Sequence, residues 1–202
     1  MRSFFLALYK IAFFRRLVPS ILRRLPFSNS VNTKIENFEI NLNLGSSIDR
    51  YIYLHSFYDR DKISFLENKF DLNEFRYFLD IGSNIGFYSL YFASRYKNLN
   101  ILSFEPIIDN FDQINRSIKL NNYHTIDTYN YALSNSQEDK IMWVTDLNKK
   151  GGFSIYEEED FKHEIHSNNY DEDKLSKTNV QSKIFDENFQ ISNEKILIKI
   201  DV

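Results

Sequence analysis

Three carboxylates and two glycines in this 202-residue chain have types and spacing that could do chemistry. Residues 78–89 read Phe-Leu-Asp-Ile-Gly-Ser-Asn-Ile-Gly-Phe-Tyr-Ser. An apolar run ends in Asp80, Gly82 and Gly86 punctuate a short loop, and an amphipathic stretch follows. That order predicts a strand, a tight turn and a helix, which brings backbone N–H groups and a helix N-terminus up to a ligand. A second apolar run, Ile101-Leu102-Ser103-Phe104, ends in Glu105, a carboxylate able to hold a ribose diol. The two together describe a nucleoside-binding crevice at the carboxyl ends of adjacent parallel strands. A third run, Lys195-Ile-Leu-Ile-Lys-Ile, ends in Asp201.

The glycine turn alone does not separate a dinucleotide from other adenosine ligands. Dinucleotide folds set a pyrophosphate on the helix N-terminus and use a third glycine for its approach. Here the pattern is Asp-x-Gly-x-Asn-x-Gly, with Asn84 in the middle slot. Asp80 would repel a pyrophosphate and would suit a ligand carrying an ammonium or sulfonium cation. S-adenosylmethionine combines a sulfonium, a zwitterionic tail and a ribose diol, so it is preferred over NAD.

These segments, followed by Ala-Leu-Ser at 132–134 and Ile-Lys-Ile-Asp-Val at 198–202, resemble the successive motifs of the FkbM-type family of class I methyltransferases. The resemblance covers about residues 49–202. It implies a Rossmann-like α/β fold that methylates a hydroxyl of a sugar, glycan or small metabolite with S-adenosylmethionine. By motif, Asp80, Gly82, Asn84 and Gly86 would wrap the methionine part, Tyr88 would add a polar contact, and Glu105 would bind the ribose. Ala132 would lie near the adenine, and Asp201 would face the methyl group as the catalytic base. No metal is implied. The family pattern continues past this aspartate with Glu-Gly, whereas this chain stops at Val202. The expectation is therefore a methyltransferase sheet without its late strands. The alternatives are a non-catalytic cofactor-binding remnant and, less favoured, an NAD(P)-binding oxidoreductase domain.

The elements that must position these residues are read from periodicity. Strands are expected over Tyr77–Ile81, Asn100–Phe104 and Ile126–Tyr131, with helices over about Ile85–Tyr96 and Asp109–Asn121. Phe111, Ile114, Ile118 and Leu120 supply the apolar stripe of the second helix. Alternating strands and helices predict a parallel sheet with flanking helices. Upstream, Glu36–Leu44 alternates as a half-exposed strand, residues 28–34 read as a polar link, and Asp49–Phe70 is helical in pieces. Downstream, Lys140–Thr145, Val180–Ile184 and Lys195–Val202 read as strands around a polar loop. Three regions result: a leader over 1–30, an extension over 31–76 and the Rossmann-like domain over 77–202.

Composition narrows the partners. A net charge of −3 argues against nucleic acid, and the absence of cysteine removes disulfides and thiolate chemistry. Residues 1–27 carry six Lys and Arg and no acid, interleaved with large apolar residues. That pattern fits a helix lying on an anionic membrane surface, or one packing on the domain. Pro19 and Pro26 are expected to break it. The chain is placed in the cytoplasm, with peripheral contact at the inner face of the membrane. A last strand left as an exposed edge would favour self-association. His163 and His166, beside Glu157–Asp160, match no ligand spacing and read as solvated. Lys149-Lys150-Gly151-Gly152 lacks a phosphate-loop frame. His55 and His124 have no evident partner.

Overall fold

The computed structural model describes residues 1–26, 30–145, 153–155, 175–191 and 193–201. The leader folds as α1 (Arg2–Lys10), a 3-10 turn (Ala12–Arg15) and α2 (Leu17–Leu22). Pro19 does not break it. It sits in the first turn of α2, where a backbone N–H has no intrahelical acceptor to lose. The chain departs from the helix instead at the extended residue Ile11. Phe5, Val18 and Leu22 are buried in the main core. The Arg2 guanidinium donates to the carbonyls of Tyr53 and Lys34 and to Ser56 Oγ.

The polar link expected over residues 28–34 is a strand from Val31 onward. β1 (Val31–Ile35) and β2 (Phe38–Leu42) form an antiparallel hairpin, turned by Glu36 at φ 47. Pairing with β2 satisfies the backbone of a stretch whose side chains alone look turn-like. Phe38, Ile40, Leu42 and Leu44 are buried as their alternation predicts. Asn41 is buried too, with its amide donating to Asn32 and Ser30. Two helices follow, α3 (Ser47–His55) and α4 (Arg60–Lys69). His55 is not without a partner. It stacks on Tyr51 at 4.2 Å and lies 3.3 Å from the Tyr9 hydroxyl.

The central unit is β3 (Tyr77–Ile81), α5 (Phe87–Arg95), β4 (Asn100–Phe104), α6 (Ile108–Asn121) and β5 (Ile126–Tyr129). The third strand stops two residues short of the expected Tyr131. The Asn130 side chain donates to the carbonyls of Glu105 and Pro106 and turns the chain there. β6 (Ala132–Leu133) then enters a second sheet with β7 (Asp139–Thr145), β8 (Phe153–Ile155) and β9 (Leu175–Lys183), in the order β6-β9-β7-β8. After α7 (Phe185–Asn188), the chain returns as β10 (Ile196–Ile200) to the far side of β3. The central sheet is parallel, in the order β10-β3-β4-β5. This is a Rossmann-like α/β fold.

Alternation across this sheet feeds two cores. Phe78, Ile101 and Leu197 join the main cluster with α5, whereas Leu79, Leu102 and Phe104 join Tyr131, Phe185 and Phe189. The stripe expected on α6 needs correction. The helix buries Asn110, Gln113, Ile114 and Ser117, and Leu120 is exposed. Gln113 Nε2 donates to the Asn41 carbonyl at 2.8 Å and to Asp49 Oδ2 at 2.5 Å, and Ser117 Oγ accepts the Asn41 N–H. A polar face can be buried because its partners on β2 and α3 are in place. Among the described residues no helix is long and apolar enough to cross a membrane. Residues 149–152, Glu157–Asp160, His163 and His166 lie outside the described residues, as does Val202.

Candidate functional site

The loop after β3 is built from three left-handed residues at alternate positions. Gly82, Asn84 and Gly86 have φ values of 69, 53 and 74. Glycine adopts this region freely, and asparagine is among the side chains that tolerate it best. The residue types at 82, 84 and 86 are therefore those the backbone requires. Gly86 meets a second demand. A Cβ there would lie 3.0 Å from Ile114 Cγ1, so its lack of a side chain lets α5 and α6 close together. The loop is pinned to β4 by the N–H groups of Gly82 and Ser83, both donating to the Phe104 carbonyl at 3.0 Å.

Glu105 ties the same loop from the other side. Its Oε2 accepts the Asn84 N–H at 2.8 Å, and its Oε1 accepts the Ile107 N–H at 2.9 Å and the Asn110 amide at 3.4 Å. The residue is only 5% exposed. Burial pushes its carboxyl up to about 7, against the lowering effect of these three donors.

Asp80 is fully buried. The Ser89 hydroxyl of α5 donates to its Oδ2 at 2.7 Å, and Lys199 Nζ lies 3.1 Å from its Oδ1. The second contact is an ion pair without hydrogen-bond alignment, since Oδ1 has no donor in hydrogen-bond geometry. Strand register causes the pairing, because Lys199 of β10 stands directly opposite Asp80 of β3. Lys199 also donates to the Gly82 carbonyl at 2.9 Å, lies 3.7 Å from Asp201 Oδ2 and sits 5.3 Å from the centre of the Tyr88 ring.

An open crevice lies beside this cluster. The Gly82–Ile85 loop, Phe87 and Tyr88 of α5, and Lys199 and Asp201 from the end of β10 line one side. Ile48 and Ile52 of α3, with Tyr58, line the other. The Tyr88 hydroxyl donates to Asp59 Oδ2 at 3.2 Å. Burial and the Asp59 charge hold it protonated well above the usual tyrosine range. Tyr58 is pushed the same way by burial and by Asp59 and Asp201.

Of the residues singled out from sequence, Gly82, Asn84, Tyr88 and Asp201 therefore meet at one cavity. Asp80 and Gly86 stand behind its wall as structural supports. Glu105 stands behind the loop, joined to it through Asn84. Ala132 is buried in β6 of the second sheet and is not part of the lining. Sequence reading missed Lys199, although a signal existed. A lone lysine in the apolar run Ile196–Ile200, two residues before Asp201, must share its face of the strand. Ile48, Ile52 and Tyr58 carried no comparable signal, because only folding brings α3 to the loop.

No family model matches this chain, so the resemblance to the FkbM-type family has no such support, and no curated protein matches it either. Among solved structures it is similar to P. horikoshii TYW2 in complex with MeSAdo, at 15% identity and a TM-score of 0.40. That match covers 52% of this chain and 37% of the other. It is also similar to M. jannaschii TYW2 in complex with AdoMet, at 18% identity and a TM-score of 0.37, covering 50% and 42%. This chain thus spans less than half the length of either protein. Similarity of this degree is silent on ligand and activity.

Proposed function

We propose that this chain is the donor-binding part of an S-adenosylmethionine-dependent methyltransferase acting on a hydroxyl of a sugar, glycan or small metabolite. The observation that carries this reading is the position of the cavity. In the order β10-β3-β4-β5 the chain runs outward from β3 and then returns to its other side. The strand order therefore reverses between β3 and β10, and the cavity lies at the carboxyl ends of these two strands. That crevice is where open α/β sheets take their ligands.

The residues present fit the donor. The first-turn N–H groups of α5 have no intrahelical acceptor, and with Lys199 they suit the carboxylate of an amino-acid tail. Asp201 suits its ammonium or the sulfonium. Lys199 offsets the charge of Asp80, so Asp201 and not Asp80 is the acid that faces the cavity. Glu105 Oε2 holds the Asn84 N–H and so fixes the loop that lines the crevice. S-adenosylmethionine supplies an electrophilic methyl group when bound. Asp201, with its side chain 61% exposed, takes the proton from the acceptor hydroxyl. Ile48, Ile52 and Phe87 form the apolar wall that limits water there.

Calorimetry of the full chain with S-adenosylmethionine and S-adenosylhomocysteine tests the reading. Both are expected to bind, and Glu105→Ala is expected to weaken both. A folded sample that gives no heat with either, or that binds NADH in a fluorescence titration instead, would overturn it.

A further inference from the structure

We infer that the leader is a docking surface for anionic lipid bilayers. This inference is independent of the donor site. The segment is split into two faces by its own helical spacing. In α2, Val18 and Leu22 are fully buried, while Leu17 and Ile21, also four residues apart, point outward. In α1, Phe5 is buried and Phe4 is 63% exposed. Met1, Phe4, Ile11, Phe13, Leu17 and Ile21 together leave a run of large apolar side chains in water, with Phe13 at 75% exposure. The inward face explains why the segment is held to the body, but nothing in the core accounts for the outward one.

The charges beside this apolar run select the occupant. Lys10, Arg15, Arg16, Arg23 and Arg24 are all exposed. None forms a salt bridge with a described residue. Residues 1–27 hold six basic residues and no acid in a chain of net charge −3, so the remainder carries −9. This asymmetry turns one basic, apolar end toward an anionic surface and the acidic body away from it. Cations at headgroup depth with bulky apolar side chains below them match the interface of a bilayer. A nucleic acid would use the cations and leave six large apolar groups without a role. The short helices lie along the body, and none spans a membrane.

The test is flotation of the full chain with phosphatidylcholine vesicles, with and without phosphatidylglycerol, at low and high salt. Binding is expected only with phosphatidylglycerol, weakened but not abolished by salt. Phe4→Ser with Phe13→Ser, and separately Arg15→Glu with Arg16→Glu, are each expected to weaken partitioning about tenfold or more. All four positions are exposed, so thermal unfolding should be unchanged, which separates lost docking from lost folding. No flotation of the folded chain, equal partitioning of the variants, or binding to heparin without binding to vesicles would overturn the inference.

Discussion

Lys199 illustrates how one side chain can serve both stability and the site. It balances Asp80, which has no access to water, and it fixes the Gly82 carbonyl of the loop. Removing one member of a buried pair leaves an uncompensated charge, at a cost of roughly 3–5 kcal/mol. Lys199 keeps some solvent contact, so Lys199→Met should fall near the low end, about 3 kcal/mol by urea denaturation. Adding Asp80→Asn should recover most of the loss. If the double variant is no more stable than the single one, the pairing is not the cause. Glu105 makes a separate prediction. Its carboxyl is raised from 4.5 to about 7, so the native state holds its proton more tightly than the unfolded chain does. Its contribution to stability therefore falls as pH rises between these two values. Donor binding follows the opposite sign, because the ionised carboxylate accepts the Asn84 N–H more strongly and so orders the loop that lines the crevice. Affinity for S-adenosylhomocysteine should rise about tenfold from pH 6 to pH 8, and Glu105→Gln should flatten that profile.

The strand–loop–helix unit from β3 to α5 was legible from local rules. Period-two apolar residues, then Gly, Asn and Gly at left-handed positions, leave few alternatives to this turn. Gly86→Ala should cost about 2 kcal/mol, from the positive φ and from contact with Ile114. Ile114→Ala, which removes both close carbons, should cost less in the Gly86→Ala chain than in the parent, by the contact share alone. Equal costs in the two chains would show that the contact term is negligible. The burial of α6 was not legible. Its apolar stripe suggested Leu120 inside, whereas Gln113 and Ser117 take that place against β2. Gln113→Leu should destabilise by about 2 kcal/mol, since it strands the Asn41 carbonyl and removes one donor from Asp49 Oδ2, which keeps the Asn43 N–H. A neutral result in chemical denaturation would mean that water replaces both bonds.

The leader belongs to the folded body as well as to its surface. Val18 and Leu22 are fully buried and Phe5 nearly so, in the same cluster as Ile35 and Ile52. Removing residues 1–26 should therefore lower stability by roughly 5 kcal/mol, taking about 1.5–3 kcal/mol per side chain as an upper range. Unchanged denaturant midpoints would show that the leader only rests on the core. For the same reason, surface substitutions test lipid docking more cleanly than truncation does.

Local chemistry dictated the order of strands and helices, the glycine loop, and acids at the ends of β3, β4 and β10. Those features depend on residues within a few positions of each other, so periodicity and allowed φ values suffice to read them. The partner of Asp80, the wall made by α3 and the polar seam of α6 came only with the folded chain. Lys199 and Gly82 are 117 residues apart, and no local preference encodes which strands will lie side by side or in what register.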